Sequence, residues 1–276
     1  MSKVWMITGA GRGLGRAFAE EAVANGDQVI ATVRKLNSND ELLRNDNVFP
    51  VIMDVTDVSA VWTAVKSGIE KYGRIDVLVN NAGFGMGGAF EEISDSELRT
   101  LMETDYFGVV NVTKAVLPVM RRQKRGMILN ISSQAGAMGF LGSTAYCSAK
   151  FAVVGLSEAL AMELMDFGIQ VSAVLPGSFR TDFRDSSSMK VAQKPMAEYD
   201  ASPLRAARDF METHNHMQEG DPVKAAKFLY GMVDSGKLPK RILIGKKCCT
   251  DVRNELLAQI DEIDSYIEAA SQSDYE

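Results

Sequence analysis

At 276 residues the chain is long enough for one large domain or two small ones. Its 46% apolar and 24% charged residues suit an ordinary globular core. A net charge of -6 at pH 7 argues against nucleic acid or an anionic membrane surface as partner.

The elements alternate from the first residues onward. Short, β-branched apolar runs at Val4–Thr8, Gln28–Val33, Val48–Ile52, Ile75–Val79, Met127–Ile131, Gln170–Leu175 and Arg241–Ile244 predict strands buried on both faces. Between them the apolar spacing predicts helices over Leu14–Ala24, Val58–Tyr72, Ser96–Arg122, Ala149–Asp166 and Val223–Asp234. Ser94-x-x-Glu97 reads as a capping box, and Asp221-Pro222 as an N-cap before a first-turn proline. Strand–helix–strand repetition implies an α/β fold, a doubly wound parallel sheet with helices on both faces, in a single domain over residues 1–276. The long interruption Ser178–Gly220, rich in Met and aromatic residues, is expected to be a substrate lid. Apolar residues at Val252, Leu256, Leu257, Ile260, Ile263 and Ile267 predict a docked amphipathic helix over about 251–270, with Ser271–Glu276 frayed.

Cys147, Cys248 and Cys249 form neither a disulfide framework nor a zinc pattern, so a reducing, cytoplasmic location is expected. The first apolar run starts at Val4, so no signal peptide is expected, and no run has the ~20 residues of a membrane span. His214 and His216 stand two apart, on different helical faces, and read as ordinary lid residues; no metal site is expected.

Strand one ends in Thr8-Gly9-Ala10-Gly11-Arg12-Gly13-Leu14-Gly15 and opens a helix. Glycines there let the backbone approach a pyrophosphate resting on the helix N-terminus. An NAD site of this kind places an acid at the end of strand two, but Ala31-Thr32-Val33-Arg34-Lys35 has none. Arg34, with Arg12 from the glycine turn, instead points to the 2′-phosphate of NADP(H). Asp54, with Val55 beside it, is a candidate acceptor for the adenine amino group. Asn80-Asn81-Ala82-Gly83 closes strand four, either as local turn structure or as cofactor contact.

Tyr146-x-x-x-Lys150 spans one helical turn, about 5.4 Å, so both side chains share a face. An ammonium beside a phenol stabilises phenolate, letting tyrosine exchange a proton with an alcohol or carbonyl oxygen. Ser133, just after a strand, is placed to hold that oxygen.

Taken in order, TGAGRGLG (8–15), DV (54–55), NNAG (80–83), ISS (131–133), YCSAK (146–150) and PGSFRT (176–181) resemble the short-chain dehydrogenase/reductase family. The likeness runs from Val4 to Ile244 and is to the compact single-domain branch, with a tail similar to bacterial members compared with 17β-hydroxysteroid dehydrogenases and carbonyl reductases. It implies a Rossmann sheet of seven strands, hydride transfer between NADP(H) and a small-molecule alcohol or carbonyl, and Ser133, Tyr146 and Lys150 as catalytic residues. Pro176, Gly177 and Thr181 match the nicotinamide contacts. The resemblance also implies a homodimer or homotetramer packed through the helices at Ser96–Arg122 and Ala149–Asp166. One position departs: Asp105 stands where the family usually has a catalytic Asn, while Asn111 reads as a helix-face residue. A β-ketoacyl carrier-protein reductase, and a non-catalytic NADP(H)-binding sensor, are the alternatives; the acidic charge does not favour docking an acidic carrier protein.

Overall fold

The computed structural model of the chain describes residues 2–275. Its strands are β1 (Val4–Thr8), β2 (Gln28–Val33), β3 (Val48–Ile52), β4 (Val77–Asn80), β5 (Gly85–Gly87), β6 (Gly126–Ile131), β7 (Ile169–Pro176), β8 (Met189–Val191) and β9 (Arg241–Ile244). The helices are α1 (Gly13–Ala24), α2 (Val58–Tyr72), α3 (Asp95–Met102), α4 (Gly108–Gln123), α5 (Thr144–Glu163), α6 (Pro203–Thr213), α7 (Pro222–Asp234) and α8 (Lys246–Ser271). Seven strands form one sheet in the order β3-β2-β1-β4-β6-β7-β9. All six pairings in it are parallel. The expected doubly wound sheet is therefore present.

Alternation along β1 divides the core. Trp5 and Ile7 enter one apolar layer with Ala17 and Phe18 of α1 and Ala225 and Leu229 of α7. Val4 and Met6 face the other, with Val61 and Val65 of α2 and Val112 and Val116 of α4. Period-2 side-chain direction makes one strand serve both layers, which is why these strands read as continuous apolar runs.

Side-chain caps start α2, α3 and α7. Asp57 accepts the Ala60 N–H at 3.0 Å to start α2, and Asp221 accepts the Val223 N–H at 2.8 Å to start α7. Ser94 and Glu97 complete their reciprocal box at the start of α3.

Several boundaries need correction. The fourth strand starts at Val77, because the Ile75 N–H bonds the Gln123 side chain before the ladder begins. The helix expected over Ser96–Arg122 is three pieces, α3 and α4 joined by a π-helical turn at Glu103–Phe107. Helix α5 starts at Thr144, five residues before the expected Ala149, so Tyr146 lies inside it. The insertion 178–220 is largely structured: β8 pairs with β5, α6 follows, and the ends meet at a Phe179–Gly220 bridge.

The tail is helical but not docked as expected. Only its first turns are buried, through Cys248 and Val252. Leu256, Leu257, Ile260, Ile263 and Ile267 are each more than two-fifths exposed. Helical periodicity identified an apolar stripe, but the chain's own core ends before that stripe begins. Of the terminal stretch expected to fray, Glu276 lies outside the described residues.

Candidate active site

A cleft of about 1680 Å³ follows the carboxyl ends of β1, β4, β6 and β7. Parallel sheets place ligand sites at that edge because the connecting turns and helix N-termini converge there. At one end is the glycine turn. Gly9 (φ 66°) and Gly13 (φ 58°) adopt left-handed backbone that side chains disfavour. A Cβ on Gly15 would come within 2.3 Å of the Asn81 amide, so Gly15 permits the close seat between turn and β4.

Asn81 locks this seat. Its side-chain amide donates to the Thr8 carbonyl at 2.9 Å, while the Thr8 hydroxyl accepts the N–H groups of Asn81 and Ala82. Asn80 donates to Thr113 and Asn130 deep in the core, while Asn81 both holds the turn and lines the cleft. The N-terminus of α1 has no side-chain cap and no acid in its first turn. Its N–H groups, with Gly11, Gly13, Leu14 and the Ala82-Gly83 turn lining the cleft, fit an anionic dinucleotide.

Farther along, Arg34 and Lys35 line the cleft where β2 ends. Gly11 lies against Val33, at 3.4 Å from an added Cβ. Asp54 is also there, but its Oδ1 accepts from the Thr56 N–H and hydroxyl, making a local turn. Asn111 fixes the adjoining Val55 by donating to its carbonyl at 3.0 Å. Asp40, not considered from sequence, also lines this end, although Arg16 grips both its oxygens at 2.9 and 2.8 Å. Arg12 turns toward the insertion and donates to the Ser187 hydroxyl at 2.7 Å.

The other end of the cleft holds Ser133, Tyr146 and Lys150 together. The Ser132 hydroxyl donates to the Lys150 carbonyl at 2.9 Å, pinning α5 to the end of β6. Gly136 makes room for this contact, since a Cβ would stand 2.8 Å from the same carbonyl. Lys150 Nζ donates to the Ile131 carbonyl at 3.2 Å and lies 5.5 Å from the Tyr146 ring centre. Phe183, from the insertion, covers Tyr146 with ring centres 6.0 Å apart. Thr181 accepts the Phe183 N–H at 3.3 Å, and Pro176 and Gly177 line the same wall.

Asp105 enters from the π-helical turn and meets Lys150 at 2.9 Å, both side chains almost wholly buried. Its second oxygen accepts the Phe84 N–H at 3.0 Å. Burial lifts the Tyr146 phenol above its ordinary pKa; Lys150 opposes that lift, Asp105 adds to it, and the Ser133 hydroxyl works against it. Burial also disfavours the Lys150 ammonium, but Asp105 and Tyr146 outweigh it and hold Lys150 above its usual value.

The short chain dehydrogenase model matches residues 3–192. An oxidoreductase of Botryotinia fuckeliana, BOA17, is 42% identical over 248 residues, covering 89% of each chain. The chain belongs to the short-chain dehydrogenase family. A 3-ketodihydrosphingosine reductase of Bacteroides thetaiotaomicron is 42% identical over 206 residues, 75% of both chains. The crystal structure of a short-chain dehydrogenase from Streptomyces avermitilis superposes with a TM-score of 0.91 at 37% identity, covering 100% of both chains. As a short-chain dehydrogenase the chain is an oxidoreductase of CH–OH and C=O groups that binds a nicotinamide cofactor. No helix among the described residues is long and apolar enough to cross a membrane.

In this dehydrogenase the two histidines part for another reason than helical spacing, since α6 ends at Thr213 and His216 lies in a turn with φ 57°. His214 stacks on Phe210 at the end of α6, while His216 reaches Asp185 at 3.1 Å. Phe183 over Tyr146 joins elements far apart in the chain and was not legible beforehand, whereas the family likeness already set Asp105 in the site. Asp40 carried a usable signal, an acid shortly after β2 with an arginine on the facing helix.

Proposed function

We propose that the protein interconverts an alcohol and a carbonyl with NADP(H), on a medium to bulky, largely apolar small molecule. The observation that carries this reading is the convergence of Ser133, Tyr146 and Lys150 in a cleft continuous with the glycine turn. A nicotinamide held by Pro176, Gly177 and Thr181 would deliver hydride to the substrate carbon or accept it. Ser133 holds the substrate oxygen, and Tyr146 gives it a proton in reduction and takes one in oxidation. Lys150 steadies the charge that Tyr146 then carries and is placed to bind the cofactor ribose. Retention of all three groups in one site favours an enzyme over a non-catalytic sensor.

Apolar substrate preference draws on Phe84, Met86, Phe140, Phe183, Phe210 and Met211, which line the cleft beyond Tyr146. The similarity to a 3-ketodihydrosphingosine reductase agrees with it. NADP(H) draws on Arg34 and Arg12, with Asp40 already neutralised by Arg16. The insertion 178–220 serves as the lid, in a single catalytic domain. We place the protein in the cytoplasm, where its three free cysteines stay reduced, and read it as a homodimer or homotetramer.

Oxidation of NADPH and NADH is to be compared across aliphatic, aromatic and steroid carbonyls. NADPH is expected to be strongly preferred, Arg34→Ala to weaken that preference, and Val33→Asp to move it toward NADH. Equal kinetics with both cofactors would overturn the NADP assignment, and absence of turnover on every carbonyl would overturn the substrate class.

A further inference from the structure

We propose that Asp105 neutralises Lys150 and so keeps Tyr146 protonated, extending the pH range over which the site can donate a proton to a carbonyl. This rests on the reading of Tyr146 as the proton donor. The geometry supplies the case. Asp105 Oδ2 stands 2.9 Å from Lys150 Nζ, with 0% and 6% of the side chains exposed. Oδ1 takes the Phe84 N–H at 3.0 Å. Both carboxylate oxygens thus face donors, an ammonium and an amide. Burial pushes the Asp105 carboxyl above its ordinary value, while the Lys150 ammonium and the Phe84 N–H pull it back and favour the ionised form.

Position is enforced from several sides. The π-helical turn Glu103–Phe107 directs Asp105 into the core between the Gly83 turn and α5. Gly83 must lack a side chain, since a Cβ would lie 2.9 Å from Asp105 Oδ2. Lys150 is tethered in turn by the Ile131 carbonyl. The groups acting on the Tyr146 phenol are Lys150 and Cys147 on its own helix, Asp105 from the π-helical turn and Ser133 from the end of β6. Among them Lys150 and Ser133 favour phenolate, while Asp105 and Cys147 oppose it.

A neutral side chain at position 105 would leave the ammonium field on Tyr146 unopposed, easing loss of its proton. With Asp105 the ion pair partly cancels that field. Tyr146 then stays protonated to higher pH, which serves reduction, and phenolate for oxidation forms only at still higher pH. The overall equilibrium of the reaction is untouched. What moves is the pH at which each direction is served. Asp105 acts through Lys150, as a positioning residue.

The test begins without cofactor. Phenolate absorbance is titrated in the wild type and in Asp105→Asn, each corrected by the matching Tyr146→Phe protein to remove the other tyrosines. The Tyr146 signal is expected to rise at lower pH in Asp105→Asn. Oxidation should then shift toward lower pH, increasing about threefold or more at pH 7, and reduction should decline at lower pH than in the wild type. Asp105→Ser provides a second neutral variant if the first folds poorly, and should move the titration the same way. An unchanged or upward-shifted titration in a folded variant overturns the proposal. If Tyr146→Phe retains turnover while the titration moves as expected, the proton-donor assignment fails and the electrostatic role of Asp105 stands.

Discussion

Tyr146 and Lys150 are four residues apart on α5, and the consequence of removing each differs. Tyr146→Phe deletes the hydroxyl but keeps the ring against Phe183. Turnover is expected to fall by at least about a thousandfold, with NADPH affinity, read by fluorescence quenching, nearly unchanged. Near wild-type activity would mean that the reaction centre lies elsewhere. Lys150→Ala should damage turnover and affinity together, and it also strands Asp105 as a buried charge 2.9 Å from the lost ammonium. A melting temperature equal to that of the wild type would contradict that ion pair. Tyr146 and Lys150 were legible in the sequence because helical spacing alone puts them side by side. Asp105 was placed in the site by the family likeness alone, because its contact with Lys150 depends on how a π-helical turn is presented to another helix. The place of Arg12 in the glycine turn suits a phosphate ligand, yet its bonding partner Ser187 stands far along the chain.

Among the elements, the insertion shows most clearly what local patterns convey. Its helix α6 begins with Ser202 as cap and Pro203 in the first turn, the same kind of signal that located α7 at Asp221-Pro222. The anchor beneath α6 was hidden: Arg205 forks onto Glu92, which also accepts the N–H groups of Ala89 and Met196. Arg205 bonding, set against burial and aided by those two N–H groups, holds the Glu92 carboxyl down at about 2. A depressed carboxylate stabilises the fold at pH values above its unfolded value, and the benefit disappears as pH falls through the folded one. Glu92→Gln should therefore cost about 2 kcal/mol near neutrality, with the gap to wild type closing between about pH 5 and pH 2. Urea melts across that range will measure it, and a gap independent of pH would refute the linkage. If the insertion acts as a lid, limited proteolysis should cut within 178–220 in the empty protein and be suppressed by cofactor plus substrate. Equal cutting with and without ligands would leave its Met-rich span as simple packing.

For the whole molecule, a parallel sheet covered on both faces was legible from the alternation of strand and helix signals, because nearly every strand carries its own hydrophobic signature; the strand order was not, since it depends on how distant strands pair. The outer limit of the core was not legible either. In α8 the stripe Leu256, Leu257, Ile260, Ile263, Tyr266 and Ile267 is 42–52% exposed on this chain. Acidic residues flank it at Glu255, Asp261, Glu262, Asp264 and Glu268. A surface groove bordered by Pro118, Arg121, Arg122, Lys124, Asp166 and Phe167 offers an apolar floor and a rim of three cations and one acid. A second copy of the chain is the occupant we expect for this stripe. Removal of residues 253–276, or Ile260→Glu with Ile263→Glu, should lower the mass measured by light scattering by at least one association step. An unchanged mass would exclude α8 from self-association. The bridge between Phe179 and Gly220 has a consequence of another kind. Since the Arg180 N–H bonds the Gly220 carbonyl at 2.8 Å and the Gly220 N–H bonds the Ser178 carbonyl at 3.2 Å, the insertion leaves and rejoins the body at one stitched point. Beyond that stitch the segment is held to the body again by the β5–β8 pairing and by Arg205 on Glu92, so a replacement of it has to keep those two anchors. A segment exchanged with these anchors kept would change the wall that Phe183 sets against Tyr146 and leave the proton-handling residues of α5 where they are.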